Sequence, residues 1–331
     1  MKKSIFSVLS SNLIIILIVT LILTYLYYYI FEDIQYEFFI PNKPTMNEYY
    51  VHRVKNIKNL KKPTIKYFMA IPYGDNLVSK NNLWNMIRDC NFSKKFVPKS
   101  FIVENFYDLQ NLKKTHTKEK IYILKKNIHR KQGLKLFRGK LESLINEYKD
   151  GGFKVIQEFI REPYLVNNRI VVLRLYLIIT KKNNYNFYIH NYGKCLYTSK
   201  DFSLINLEED RLITNNRSKL DKNFSKNVDE FIKKEKISKK ILHKPIENVI
   251  KCFKKFIYEN DNPSHQQFTF FQTFGVDLII DKNKNPFLLE INKNPDINTF
   301  YYQEDKLEKI KLGLDIKYLV KYNKNTHFTE I

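Results

Sequence analysis

Cysteine is scarce: Cys90, Cys195 and Cys252 are the three in 331 residues, and they stand far apart. No two have the spacing of a metal knuckle or a redox pair, and an odd count is no disulfide framework. They read as ordinary buried or free thiols. The seven histidines also lack ligand spacing. No Ser/His/Asp or Cys/His set stands out, which argues against a covalent enzyme nucleophile. Eight glycines and ten prolines exclude long flexible or collagen-like segments. Negative charge is in deficit, with 34 Asp+Glu against 57 Lys+Arg and a net charge of +23. Such a surface favours acidic partners. Lysine, asparagine, isoleucine and tyrosine are abundant throughout, however, and genome-wide codon bias can produce that without a selected basic surface. No basic block is interleaved with aromatics, so no nucleic acid is expected. Internal repeats are absent. The length admits one large or two modest domains.

What is present begins with an apolar run. Met1-Lys2-Lys3 precede an uncharged stretch from Ser4 to Phe31. As a helix, Leu13–Phe31 spans ~28 Å, close to a bilayer core of about 30 Å. Tyr25, Tyr27, Tyr28 and Tyr29 cluster at one end, as in an interfacial belt. A cleaved signal peptide has a shorter apolar region and a small-residue cleavage site. A buried soluble helix would show a polar face. The run reads as an uncleaved, single-pass membrane anchor over residues 1–33. Lys2 and Lys3 against Glu32 and Asp33 favour a cytoplasmic N-terminus, but two lysines do not fix the side of the remaining chain. Residues 34–63, with Pro41, Pro44 and Pro63, read as a stalk or linker.

From Thr64 the pattern is α/β. Strands are expected at Ile65–Ile71, Phe96–Val103 (an edge, because of Pro98), Ile121–Lys125, Phe153–Ile160, Arg169–Thr180 and Phe187–Tyr197. Helices are expected at Asn82–Asp89, at Gly139–Lys149 with a stop at Asp150-Gly151-Gly152, and at Ile246–Tyr258. Residues 201–240 read as a charged loop.

Three features carry chemistry. Gly275 to Asn292 reads as two short strands joined by a polar turn. Asp277 lies on the first; Glu290 and Asn292, two apart on the second, share a face. Two carboxylates and an amide oxygen suit Mg²⁺, which completes its shell with phosphate and water. The alternative is a hairpin with a polar outer face. Lys125 ends a strand before the basic loop Lys126–Gly133, where it can hold a phosphate or be solvated. Arg174 stands alone in the apolar run Ile170–Ile179. A buried charge there needs an anionic partner, either a structural carboxylate or a substrate phosphate.

These pieces, in order, resemble the tubulin-tyrosine ligase-like family of the ATP-grasp superfamily. The resemblance is carried by Val155–Leu165, Arg169 with Leu173-Arg174-Leu175-Tyr176, Thr214-Asn215, Phe274–Asp277 and Leu289–Pro295, and it runs from about Ser79 to Asn298. It implies an α/β (α+β) ATP-grasp fold with nucleotide between two lobes, here an N-terminal lobe at 64–120 and an ATP-grasp region at 121–331. By resemblance, Lys125 sits on the nucleotide phosphates and Lys80 matches a lysine-bearing segment. Arg130 and Gly133 fall in the phosphate-covering loop, and Gln157 with the Phe159 backbone at the adenine hinge. Thr214 and Asn215 lie near the nucleotide, and Arg174 near the γ-phosphate and acceptor. Asp277, Glu290 and Asn292 are the implied Mg²⁺ ligands.

The chain departs from the family where Ile170 and Val172 replace a lysine and an aspartate, where Glu158 replaces a hinge lysine, and where Leu196 replaces an arginine. Leu212 or Ile213 stands where a histidine precedes Thr-Asn. The implied activity joins a free amino acid to a protein carboxylate through an acyl phosphate, using ATP and Mg²⁺. The implied acceptor is an acidic protein or peptide, with the tubulin tail as the family's default. A degenerate, non-catalytic module that binds nucleotide or an acidic partner at a membrane is the alternative.

Overall fold

The computed structural model of the chain describes residues 38–39, 67–90, 94–128, 133–214, 224–260, 269–293, 295 and 306–331. The apolar run at Leu13–Phe31 and nearly all of the expected linker lie outside them. Among the described residues no helix is long and apolar enough to cross a membrane.

Residues 1–69 with 268–270 form a first unit. Its described strands β1 (Phe38–Phe39) and β2 (Tyr67–Phe68) run parallel, and β2 pairs in parallel with Thr269 and Phe270. The second unit comprises residues 70–267 and 271–331 and contains two sheets.

The smaller sheet has the order β3-β6-β4-β5. These strands are β3 (Ser100–Phe101), β4 (Tyr122–Lys125), β5 (Leu134–Phe137) and β6 (Val155–Glu158). Pro98 lies just before β3, which is an edge strand, as a missing N–H donor requires. Because β3 pairs with β6 through Ser100 and Gln157, a boundary at residue 120 would run through one sheet. Helices α3 (Phe106–Thr115) and α4 (Leu141–Asp150) accompany this sheet. Phe101, Leu112, Tyr122, Leu124, Leu144, Tyr148 and Ile156 make their shared core. Asn105 starts α3 by accepting a hydrogen bond from Asp108 N at 3.0 Å, a side-chain N-cap. Gly152, at φ +64°, follows the end of α4, a backbone shape that glycine adopts without strain.

The larger sheet is built on β8 (Arg169–Lys181), β9 (Tyr185–Tyr197) and β10 (Thr269–Ile280). Its order is β10-β8-β9-β12, where β12 is Phe328–Glu330. β11 (Pro286–Lys293) pairs antiparallel with β10, and β7 (Leu165–Val166) with β8. Almost every residue of β8 is buried, so its run of β-branched side chains packs on both faces and shows no polar alternation.

Two helices lead into the cleft region: α1 (Asp75–Val78) and α2 (Lys80–Asp89). The segment read as a charged loop contains α5 (Glu209–Leu212) and α6 (Val228–Lys234). Asn227 caps α6 by accepting from Glu230 N at 2.8 Å; the charges that suggest a loop form the outer face of these short helices. The helix expected from residue 246 begins earlier, as α7 (Lys239–Asn260), with Pro245 inside it. Proline conceals a helix in the sequence, but in the second turn it removes only one backbone bond, and Leu242, Ile246, Val249, Ile250 and Phe253 are buried on one face. The last helix is α8 (Lys306–Tyr322).

The cysteines require a correction. Cys90, at the end of α2, and Cys252, in α7, form a disulfide, with Cα atoms 5.5 Å apart; Cys195 is free and buried. The two partners are 162 residues apart in sequence, so no spacing rule connects them.

Asp108 is the polar hub of the smaller layer. Its Oδ2 accepts from Trp84 Nε1 at 2.9 Å, Ile102 N at 3.0 Å and Arg88 Nη1 at 3.4 Å. Removing one cap by Asn105→Ala is expected to cost about 1 kcal/mol. Asp108→Ala strands several buried donors and is expected to cost about 3 kcal/mol. Urea unfolding of the two variants checks the ranking; equal losses would remove Asp108 from this central role.

Candidate functional site

The antiparallel register of β10 and β11 puts Asp277 directly opposite Glu290 and Gly275 opposite Asn292. Asp277, Glu290 and Asn292 therefore converge, as the alternation along β11 suggests. The Asn292 amide donates to Asp277 Oδ2 at 3.2 Å and to Glu290 Oε1 at 3.0 Å. Like charges opposed across a ladder repel, so this arrangement requires cations.

Arg174 supplies the first. Its Nε and Nη2 donate to the two Asp277 oxygens at 2.8 and 2.7 Å, a bidentate fork. The anionic partner of Arg174, the lone charge in the Ile170–Ile179 run, is thus one of the implied metal ligands. The tight neighbour of Gly275 is Pro295, which a Cβ there would approach to 3.1 Å, whereas Arg174 Cδ and Nε would stand at an ordinary contact distance of 3.5 Å.

Lys80, the first residue of α2, stands 3.9 Å from Glu290 Oε2. Its Nζ donates to Ile128 O at 3.3 Å, and its backbone N–H to Asn127 Oδ1 at 2.9 Å. Lys125, at the end of β4, donates to Leu289 O at 3.2 Å. Three cations from three separate elements thus surround two carboxylates on one hairpin.

The charges are interdependent. Burial pushes the Lys125 ammonium down to about 8, with Lys80 assisting and Glu290 opposing. Burial alone would raise Glu290, but Lys80, Lys125 and the Asn292 amide outweigh it and hold the carboxyl below its ordinary range. Burial pushes Asp277 up against the pull of Arg174. Burial also disfavours the Arg174 charge, yet Asp277 more than offsets this and secures the guanidinium.

Lys80, Lys125, Gln157 and Glu290 line a cleft walled by Leu83, Trp84 and Ile87 of α2 and by Val97, Val155 and Leu288. Gln157 donates its amide to Ser100 Oγ at 3.0 Å, and its buried Oε1 has no partner among the described residues. A buried acceptor left open needs a donor, which a ligand in the cleft can provide.

The other expected residues fall as follows. The Phe159 N–H is engaged with Ile121 O at 2.9 Å. Its side chain packs with Ile170, Val172, Leu196 and Leu212, outside the residues that line the cleft. Gly133 closes the base of its loop by accepting from Lys126 N at 2.8 Å. Thr214 follows α5, two residues beyond Leu212. Arg130 and Asn215 lie outside the described residues. Asn127, Trp84 and the Lys293–Asp75 pair at 3.0 Å are structural parts of this region that sequence reasoning missed. The asparagine beside the basic loop was the one available hint.

Among the described residues no three His, Cys, Asp or Glu side chains converge as metal ligands. Two carboxylates and an amide do meet on the hairpin, with the amide nitrogen of Asn292 donating to both carboxylates; carboxylate and amide oxygens are the ligand types that suit Mg²⁺ with phosphate.

The family model for the tubulin-tyrosine ligase family matches residues 58–307, about three quarters of the chain. The chain belongs to the tubulin-tyrosine ligase family. Its mixed α/β architecture with antiparallel sheets fits an ATP-grasp-like fold. Probable tubulin polyglutamylase TTLL2 of Mus musculus is 27% identical over 217 residues, covering 57% of this chain and 38% of its own length. Tubulin polyglutamylase TTLL6 of Mus musculus is 25% identical over 241 residues, covering 65% and 28%. Tubulin polyglutamylase ttll-4 of Caenorhabditis briggsae is 24% identical over 165 residues, covering 44% and 28%. The chain therefore spans well under half the length of these relatives.

Two outcomes follow from the charge arrangement. Arg174→Met strands Asp277 and is expected to lower stability by about 3–5 kcal/mol. Adding Asp277→Leu should recover much of this, because the double change removes both buried charges. Chemical unfolding of the singles and the double gives the coupling; additive losses would mean that the pair is not a unit. For Lys125, the folded pKa lies below the unfolded one, so the folded state binds fewer protons between about pH 8 and 10.5. Wild type should therefore gain stability relative to Lys125→Met as pH rises through that window, by on the order of 3 kcal/mol. A flat difference across the window would mean that Lys125 is not desolvated.

Proposed function

We propose that this protein is an ATP-dependent carboxylate–amine ligase that joins a free amino acid to a carboxylate of an acidic protein or peptide. The observation that carries this reading is the Asp277–Glu290–Asn292 cluster, bordered by Lys80, Lys125 and Arg174 at the end of a cleft containing the open Gln157 acceptor. Asp277, Glu290 and Asn292 would hold Mg²⁺, and Lys80 and Lys125 would bind the phosphates of ATP. When bound, Mg²⁺ neutralises the charge that develops on the transferring phosphoryl group.

The chain's residues act by binding and orientation. Burial brings the Lys125 ammonium down to about 8, and a phosphate beside it would favour its charged form. Arg174 commits its planar fork to Asp277 and would act on a phosphate or the acceptor carboxylate through its charge. The acceptor carboxylate attacks the γ-phosphate and ADP leaves; the amine then attacks the acyl carbon, the C–O bond to phosphate breaks, inorganic phosphate leaves and the amine gives up a proton. This sequence needs charge stabilisation and alignment rather than an enzyme nucleophile. The relatives named polyglutamylases favour an acidic acceptor such as a tubulin tail. The net charge of +23 would draw such a tail, with strong salt dependence. The Leu13–Phe31 run would tether the protein to a membrane.

One observation favours a second reading, a nucleotide-binding module without turnover. Ile170 and Val172 are fully or nearly fully buried in an apolar cluster, and they offer no polar contact to ribose or acceptor.

The full chain incubated with Mg-ATP, labelled amino acids and an acidic peptide panel separates the readings. Ligation gives ADP and a peptide mass gain. Glu290→Gln, with the fold retained, is expected to lower turnover by about 10²-fold or more. Wild-type ADP formation by that variant would remove the hairpin from the chemistry. Nucleotide binding without ADP would select the second reading.

A further inference from the structure

Helix α2 bears a cleft cation at one end and a covalent bond just past the other. Lys80 is its first residue, and Cys90 follows its last; the two are separated by ~15 Å of helix at 1.5 Å per residue. We propose that the Cys90–Cys252 disulfide is a redox-set positioning element that holds Lys80 at the nucleotide cleft. The proposal rests on the reading of that cleft as a nucleotide site.

Lys80 is held loosely by its own contacts. It lies 3.9 Å from Glu290, beyond hydrogen-bond distance, and its other partners, Ile128 O and Asn127, belong to a loop. Its location therefore depends on where α2 lies. α2 is attached to the smaller layer through Trp84 and Arg88 to Asp108. The disulfide attaches its far end to α7, and α7 packs against β11, the strand that carries Glu290. The covalent link thus ties the lysine's helix to the helix that supports the lysine's carboxylate. The same helix provides Leu83, Trp84 and Ile87 to the cleft wall, so a shift of α2 alters wall and charge together.

Cys90 and Cys252 are 4% and 1% exposed, so the closed bond is shielded from casual exchange. Closing it removes one proton and one electron from each thiol. Both pass to the disulfide of an exchange catalyst, which leaves as a dithiol. Such bonds persist in oxidising compartments, so the state of this one also reports the side of the membrane on which the folded part resides.

The test uses the full chain purified without reductant. Alkylation after denaturation should label Cys195 alone, and all three cysteines once the protein is reduced. Binding of a non-hydrolysable ATP analogue with Mg²⁺ is then measured by calorimetry, well below the melting temperature of each form. Reduction, or the double change Cys90→Ala and Cys252→Ala, should weaken binding about tenfold, the scale of one charge-assisted phosphate contact. In a Lys80→Met background reduction should change binding little, because the positioned group is gone. A staple with a purely structural role would lower the melting temperature and leave affinity unchanged, which overturns the proposal. So would three labelled cysteines before reduction, or a reduction effect that persists undiminished in Lys80→Met. Oxidised wild type that binds no nucleotide would sink the cleft reading and the positioning role with it, while the alkylation pattern still decides the bond itself.

Discussion

Asp277 and Glu290 face each other across an antiparallel ladder, Asp277 buried and Glu290 partly so. Two carboxylates placed this way repel and lose hydration, so the hairpin is unfavourable in isolation. The surroundings answer that constraint. Arg174 forks onto one carboxylate, Asn292 bridges both, and Lys80 and Lys125 approach the other. These groups come from β8, β11, α2 and β4, so the acidic pair binds together elements from both sheets of the second unit.

The rest of β8 meets the opposite requirement. Ile170 and Val172 share a cluster with Ile121, Phe159, Leu196, Leu212 and Ile279, and Phe202, Leu204 and Leu207 pack against it. Arg138 donates to Leu204 O and Ile205 O at 2.8 and 3.2 Å and so helps fix the segment that covers this wall. Apolar side chains where the family carries charged ones are accommodated by burial, with no unpaired charge left behind. That packing accounts for how the strand tolerates the changes. Arg174 is the one charged residue between the ends of β8, and the cluster leaves the acidic hairpin and its cations intact.

Legibility in the sequence followed the range of each interaction. The hairpin was readable because residues two apart on a strand share a face, and because its turn is local. Most strands and α4 were readable from runs of apolar residues and glycine stops. The partner of Arg174 was not, since a lone buried arginine demands some anion and Asp277 is 103 residues away. The disulfide was unreadable for the same reason, as its halves meet only once α2 and α7 have packed. Pro245 concealed the first part of α7, and charge concealed α5 and α6, because a short helix with one buried face resembles a loop in composition. The hydrogen bond from the Phe159 N–H to Ile121 O depends on strand order, which no local pattern encodes.

Local charge and global charge play different parts here. The net +23 acts through water and is screened beyond about 10 Å at 0.1 M salt, so it can gather an acidic partner but cannot select a binding geometry. At the hairpin, three cations (Lys80, Lys125, Arg174) stand against two carboxylates, an excess of one positive charge in a region from which water is largely excluded. There the interaction with a polyanion is screened far less. Burial brings Lys125 down to about 8, and a phosphate beside it would hold its proton, and so this excess, to higher pH. A site whose cations are only partly satisfied by its own carboxylates is biased toward an incoming anion. A site in which every charge were paired would be stable and inert. The loose 3.9 Å contact of Lys80 is consistent with the first of these, and it explains why the placement of α2, rather than the strength of any one ion pair, governs how much positive charge the cleft presents.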